Sequence, residues 1–257
     1  MESLPDELEN INKDYVIFKP KTKYELQEAV NLWCENKEEA LSKYDNISNW
    51  DTSLITDMSE LFNECYSFND NINNWDVSNV KDMSFMFYKA MLFNQPLDSW
   101  DVKNVTDMSL MFYNCSNFNQ PLDNWDVSKV ENMNNMFNSA QLFNQDINSW
   151  NVSSVISMAQ MFVDCEKFNQ PLNKWDVSKV LNMDYMFCNS EQFNQPIDKW
   201  KINPNCSTYA IFCDADNFKQ DINKFNIKTP QEEKREDENY KELVNGSSFI
   251  YILKDKI

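Results

Sequence analysis

A row of aspartates at one fixed spacing is the feature of this sequence that comes closest to carrying chemistry. Its members recur in steps of 25 residues. Stacked carboxylates could hold a cation or a basic segment of another protein, because both are attracted to clustered negative charge. The same side chains could instead accept backbone N–H groups in Asx turns. The row, with the two residues that fill its gaps, consists of Asp51, Asp76, Asp101, Asp126, Asn151, Asp176 and Lys201.

Serines two positions after several of these aspartates add hydroxyl groups to the same strip. In a repeat protein such a strip would lie on an extended, concave surface that can bind a partner. We therefore select it as the candidate binding site, while the Asx-turn interpretation stays open beside it. The selected residues are Asp51, Asp76, Asp101, Asp126, Asn151, Asp176, Ser78, Ser128 and Ser178.

Residue types that most catalytic sites require are missing from this sequence. It contains no His, which excludes Ser–His and Cys–His catalysis and zinc sites that use His. Its one Gly, Gly246, excludes the glycine-rich phosphate loops of nucleotide-binding proteins. Nothing distinguishes one aspartate of the row from its neighbours as an acid or a base. We predict that the protein is not an enzyme and that it needs no cofactor.

The aspartates belong to a repeat that extends over most of the chain. Trp stands at positions 50, 75, 100, 125, 150, 175 and 200, without an insertion between any two of them. Phe225 continues the series. A constant period in this size range is typical of a solenoid, in which each repeat packs on the next.

Within one repeat, the apolar spacing predicts a strand followed by a helix. Trp125 and Val127 alternate with Asp126, which favours a short strand over residues 124–128. Val130 to Ala140 steps by three and four, and Asn132 could cap a helix that begins near Met133. We therefore predict an α/β, leucine-rich-repeat-like solenoid of about eight 25-residue rungs, each with a short strand and a short helix, behind an N-terminal helical cap.

The other recurring residues are better explained by packing than by chemistry. We interpret the repeated Met and Trp as core, although an outward Trp column could bind sugars or peptides. Repeated Asn residues, such as Asn119 and Asn144, would stack their amides between rungs. Cys188 and Cys213 lie one repeat apart and could form a disulfide under oxidation, although two thiols is the simpler interpretation.

Three segments are expected along the chain. Residues 1–46 hold an N-terminal segment and the helical cap, with Thr22 and Glu25 as a capping box. Leu26, Ala29, Val30 and Trp33 would form the apolar face of this helix. Residues 47–229 hold the solenoid. Residues 230–257 hold a charged linker and an apolar tail that either covers the last open edge or binds a partner.

Net charge and the N-terminal sequence restrict the partners and the compartment. A charge of −18 disfavours nucleic acid and anionic membrane surfaces, which both require clustered Lys and Arg. The first residues, MESLPDELENINKD, lack the pattern of a signal peptide. We expect a cytoplasmic protein, or one in host cytoplasm or a virion if the sequence is viral, with surface display only by a non-classical route.

The repeat FNQPLDNWDVSKVENMNNMF resembles the BspA-like leucine-rich-repeat family, also catalogued as the DUF285 repeat. WDVSNVKDMSFMFYKA matches the same pattern, and the resemblance extends roughly from Ile47 to Ile227. Members of that family are often surface proteins that adhere to host or matrix proteins. Our leading hypothesis is a non-enzymatic scaffold that binds another protein, possibly a basic one. The alternatives are a carbohydrate- or matrix-binding adhesin and a calcium-binding structural solenoid.

Overall fold

The computed structural model describes residues 17–225 and residue 227. Two helices, α1 (Lys23–Glu35) and α2 (Lys37–Tyr44), precede the repeats. Short 3-10 turns at Ile47–Asn49 and Asn223–Phe225 flank the repeated part. The predicted linker and tail at 230–257 lie outside the described residues.

Helix α1 begins where the sequence predicts. The Thr22 hydroxyl accepts a hydrogen bond from the Glu25 N–H at 3.2 Å. The Glu25 carboxylate accepts one from the Lys21 N–H at 2.6 Å, one residue earlier than in a standard capping box. The predicted apolar face is confirmed, because Leu26, Ala29, Val30 and Trp33 are all buried.

The predicted strand at 124–128 is wrong. Trp125 and Val127 are buried and Asp126 is exposed, so the alternation itself is present. However, the backbone forms turns, in which Trp125 donates to the Leu122 carbonyl at 3.1 Å and Val130 donates to Val127 at 2.9 Å. A period of two therefore arose here from successive turns and not from a pleated strand.

The predicted helix at Val130–Ala140 is also wrong, so the α/β solenoid with a strand and a helix in every rung is not the fold. The N–H groups of Met136, Asn138 and Ala140 each donate to the carbonyl three residues earlier. Asn135 and Ser139 have positive φ angles of 56° and 60°, which a right-handed helix does not allow. Consecutive three-residue turns and helices share an apolar spacing of three and four, so the periodicity could not separate them.

Residues 132–140 and their equivalents in the other repeats form what we call the turn ribbon. Every second N–H of this segment leaves its own repeat and donates to a carbonyl of the next repeat. The sheet-like contacts in residues 17–225 are isolated parallel bridges such as Asp107↔Asn132. From the ribbon at 132–140, the bonds run from Met133 to Ser157 at 2.9 Å, Asn135 to Ala159 at 2.9 Å, Phe137 to Met161 at 3.0 Å and Ser139 to Val163 at 2.8 Å.

Helix α1 supplies hydrogen-bond donors to the first ribbon, which has no repeat before it. The Leu61 carbonyl has no preceding repeat to donate to it, and the Gln27 amide donates to it at 2.9 Å. Lys23 reaches the Asp57 carboxylate of the same ribbon at 2.8 Å. The helix thus replaces a repeat in both hydrogen bonding and packing.

The core consists of columns of like residues, which confirms the packing interpretation of Trp, Met and Phe. Trp100, Trp125 and Trp150 are 2–4% exposed and stack with ring centroids 6.4 and 6.5 Å apart. Phe112 and Phe137 stack at 5.5 Å, and the Met column is fully buried. Because like side chains meet between successive repeats, a constant repeat length keeps each column in register.

The Asn column links the repeats on another side of the stack. The Asn119 side-chain oxygen accepts from the Asn144 N–H at 2.9 Å, and the Asn144 oxygen accepts from the Asn169 N–H at 3.0 Å. Gln170 adds its amide to the Asn144 oxygen at 3.1 Å. The predicted structural role of this column is confirmed, although the amides bond the backbone of the next repeat more than each other.

Positive φ angles occur at two positions of each ribbon, and none of these residues is Gly. Glu60 is an exposed example, with φ of 62°. We expect Glu60→Val to be less stable than Glu60→Gly by about 1–2 kcal/mol, because a β-branched residue is strained in the left-handed region. Urea unfolding followed by circular dichroism measures the difference, and equal midpoints would contradict the assigned backbone.

Candidate functional site

The aspartate row forms a series of Asx turns. The Asp126 carboxylate accepts a hydrogen bond from the Ser128 N–H at 3.0 Å, and Asp176 accepts from the Ser178 N–H at 3.1 Å. Asp76 accepts from both the Ser78 N–H at 3.0 Å and the Ser78 hydroxyl at 2.6 Å. The turn-capping role is therefore present, and a binding role for the same residues stays a prediction.

The positions that break the row show what the turn requires. Asn151 accepts from the Ser153 N–H at 3.2 Å, so an amide oxygen replaces the carboxylate. Lys201 has no acceptor atom, and there the turn is formed two residues later, where Asn203 accepts from Asn205 at 2.9 Å. The turn therefore needs an acceptor oxygen but no charge.

Most of the row is exposed to solvent. Asp76, Asp101, Asp126, Asn151 and Asp176 are exposed, whereas Asp51 is half-buried. Hydrogen bonds from the Ser128 hydroxyl and N–H lower the pKa of Asp126, and equivalent bonds from Ser178 lower the pKa of Asp176. These carboxylates are negatively charged at neutral pH, with their positions fixed by the turns.

Lysines already occupy two places along the row. Lys19 contacts the Asp51 carboxylate at 2.7 Å and also donates to the Ser53 hydroxyl at 3.1 Å. Lys103 contacts Asp101 at 2.6 Å within the same turn. Both pairs are exposed enough that each contributes little to stability. The Lys19 pair shows that an ammonium group fits between this carboxylate and the hydroxyl two residues later.

The Asp51–Lys19 pair predicts a pH dependence. The hydrogen bond from Lys19, with further bonds from Ser53, lowers the pKa of Asp51 to about 2. The unfolded chain, with an ordinary aspartate pKa near 4, binds more protons between these values, so stability is present above pH ~4 and is lost as pH falls towards 2. We expect Asp51→Asn to flatten the acid limb of the thermal unfolding midpoint against pH, without disturbing the turn. An unchanged acid limb would contradict the pairing.

A second row of Asx turns lies on the ribbon, and it includes Asn132, for which the predicted role as a helix cap is wrong. Asp57, Asp82, Asp107, Asn132 and Asn182 accept from the N–H two residues later. Ser157 instead donates its hydroxyl to the Asn134 side-chain oxygen of the preceding repeat, and the same oxygen accepts from the Ala159 N–H at 2.9 Å. Position 207 is also Ser, and there Asp184 of the preceding repeat accepts from the Tyr209 N–H at 2.8 Å.

The buried Trp column cannot form the outward aromatic strip considered for sugar binding. Each indole N–H from Trp75 to Trp200 donates to a backbone carbonyl 28 residues earlier, as Trp125 does to Leu97 at 3.1 Å. Within the described part of the chain, no group of three or more Cys, Asp or Glu residues is arranged to hold a metal ion.

The described helices include none that is long and apolar enough to cross a membrane. Cys188 and Cys213 pack in one small cluster with Val163 and Ala210, and no disulfide joins them.

Comparison with known proteins identifies the repeat. Searches of curated proteins and of solved structures gave no match. A family model described as "Mycoplasma protein of unknown function, DUF285" matches residues 32–148 and again residues 120–225. These two matches cover most of the chain and coincide with the stacked repeats. The chain therefore belongs to the DUF285 family.

Proposed function

We propose that this protein is a non-enzymatic scaffold that binds a basic segment of another protein along its exposed aspartate row. The supporting observation is that exposed carboxylates recur at one position of the repeats, where Asp76, Asp126 and Asp176 are each held by an Asx turn. Preorganised charges of this kind lose little conformational entropy when a partner binds. The resemblance to BspA-like proteins favours the same class, since members of that family adhere to other proteins.

The Lys19 contact is a model for the proposed interaction. Its ammonium group lies against both the Asp51 carboxylate and the Ser53 hydroxyl. Asp76 with Ser78, Asp126 with Ser128 and Asp176 with Ser178 repeat that pair of acceptors. A partner with several Lys or Arg residues in an extended segment could bind more than one of these pairs at once, which raises affinity by multivalency.

A charge-removing variant tests the proposal without removing the turns. Asn151 already forms the Asx turn as an amide, so Asp→Asn changes should preserve the fold. We expect the quadruple variant to bind lysine-rich peptides about tenfold more weakly, because four exposed ion pairs of about 0.35 kcal/mol sum to about 1.4 kcal/mol. The variant is Asp76→Asn, Asp101→Asn, Asp126→Asn and Asp176→Asn.

The measurement is fluorescence anisotropy with labelled lysine-rich and glutamate-rich peptides at several salt concentrations. A control variant removes the same charge from exposed carboxylates elsewhere and should bind like the unmodified protein. Equal weakening by both variants would show a general charge effect, and the absence of binding by the unmodified protein would reject the proposed surface. The control is Glu38→Gln, Asp123→Asn, Glu166→Gln and Glu191→Gln.

A further inference from the structure

Two cysteines meet where helix α1 joins the first repeat. Cys34 lies in the last turn of α1, and Cys65 lies at the end of the first turn ribbon. The Cys34 thiol donates a hydrogen bond to the Cys65 sulfur. Both side chains are partly buried and line an open groove of about 310 Å³, together with Glu35, Glu64 and Tyr66.

Cys65 differs from the cysteines at the same position of later repeats. Cys115 and Cys165 are fully buried, and each donates its S–H at 2.9 Å to a carbonyl 28 residues earlier. The residue that lies 28 positions before Cys65 is Lys37, which belongs to α2 and not to a repeat. Cys65 therefore has Cys34 as its hydrogen-bond partner, where Cys115 and Cys165 have a backbone carbonyl. The same repeat position therefore holds inert thiols inside the stack and one accessible thiol at its end.

The pKa values of these thiols also differ between the end and the interior of the repeat stack. The hydrogen bond from Cys34 lowers the pKa of Cys65, and the same bond with burial raises the pKa of Cys34. Burial raises the pKa values of Cys115 and Cys165 well above their usual range. The thiolate is the reactive form of cysteine, so the first ribbon carries the more nucleophilic sulfur.

We propose that Cys34 and Cys65 form a reversible disulfide that fastens α1 to the first repeat, with a hydroperoxide as the oxidant. The groove is lined by Glu35 and Glu64, which favours a small uncharged oxidant over an anionic one. The Cys65 thiolate attacks hydrogen peroxide, breaks the O–O bond and becomes a sulfenic acid, and the released hydroxide takes up a proton to form water.

The second step forms the disulfide bond between Cys34 and Cys65. Cys34 loses its proton to solvent, its sulfur attacks the Cys65 sulfur, and the S–O bond breaks to release hydroxide, which becomes a second water. Two thiols and one peroxide give one disulfide and two waters. A dithiol reductant reverses the change by thiol–disulfide exchange. The cross-link joins a helix to the repeat stack, so it suppresses local opening of α1.

Peptide mapping of the full chain tests the proposal. The protein is treated with hydrogen peroxide, quenched with catalase, denatured in N-ethylmaleimide and digested for mass spectrometry. We expect the Cys34 and Cys65 peptides to be joined with the loss of two hydrogens, whereas Cys115 and Cys165 carry maleimide. Alkylation of both Cys34 and Cys65, or equal oxidation of all the cysteines, would overturn the proposal.

Two variants separate the roles of the sulfurs. Cys65→Ala should fold, because Ala90 and Ala140 occupy the equivalent position, and it should leave Cys34 fully alkylated after peroxide. Cys34→Ala should leave a sulfenic acid on Cys65 that dimedone labels. Dimedone labelling confined to Cys34 in the unmodified protein would reverse the assigned order and overturn the mechanism.

Discussion

Replacing Trp125 by Ala is expected to lower the free energy of unfolding by about 3–5 kcal/mol. The indole is 3% exposed and stacks on Trp100 and Trp150 at 6.4 and 6.5 Å. Its N–H also donates to the Leu97 carbonyl at 3.1 Å. Truncation therefore leaves a cavity between three repeats and removes one of the two hydrogen bonds that the Leu97 carbonyl accepts, the other coming from the Trp100 N–H at 3.2 Å. Urea unfolding followed by circular dichroism gives the value.

Two neighbouring variants act as controls for this prediction. Trp125→Phe keeps an aromatic ring and loses mainly the hydrogen bond, so we expect a loss of about 1–2 kcal/mol. Asp126→Ala removes an exposed side chain whose hydrogen bonds are local ones from Ser128, and we expect about 1 kcal/mol or less. If Asp126→Ala were as costly as Trp125→Ala, the turns and not the aromatic column would hold the repeats together.

Replacing Asn144 by Ala is expected to cost about 2–3 kcal/mol. Its side-chain oxygen accepts from the Asn169 N–H at 3.0 Å and from the Gln170 amide at 3.1 Å. Both donors lie in the next repeat and are partly buried. The Asn169 N–H would lose its acceptor without full access to water, whereas the Gln170 amide would keep only its bond to the Asn144 backbone carbonyl at 3.0 Å. The same urea titration measures the loss.

Asn144→Asp distinguishes the acceptor from the amide. A carboxylate oxygen can accept the same two bonds, so we expect this variant to stay within about 1 kcal/mol of the unmodified protein. Similar losses for Asn144→Ala and Asn144→Asp would show that the side-chain oxygen is not what links these repeats.

The sequence allowed the core and the repeat length to be predicted because both depend on residue identity. A Trp that recurs at every 25th residue has to meet its own copies, and the structure places Trp125 between two of them. The buried face of α1 followed from its helical period and its Thr22 cap. Along the aspartate row, the Asx turns were also predictable, because an Asp followed two residues later by Ser favours them.

The backbone of each repeat could not be predicted in the same way. Left-handed residues such as Asn135 and Ser139 separate a turn ribbon from a helix, and no Gly marks them. The apolar spacing of Val130 to Ala140 is the same in both structures. Contacts between segments that are distant in the sequence could not be predicted either. Nothing in the local sequence pairs Cys34 with Cys65 or Lys19 with Asp51.

Alternate N–H groups of the turn ribbon donate towards the next repeat, so the first ribbon offers carbonyl oxygens, one of which Gln27 of α1 covers. Other bonds between repeats run the opposite way, as from the Glu131 N–H to the Thr106 carbonyl at 2.9 Å. An uncovered row of backbone acceptors is a template for pairing with another chain. By covering part of that row, helix α1 protects this end of the stack from such pairing.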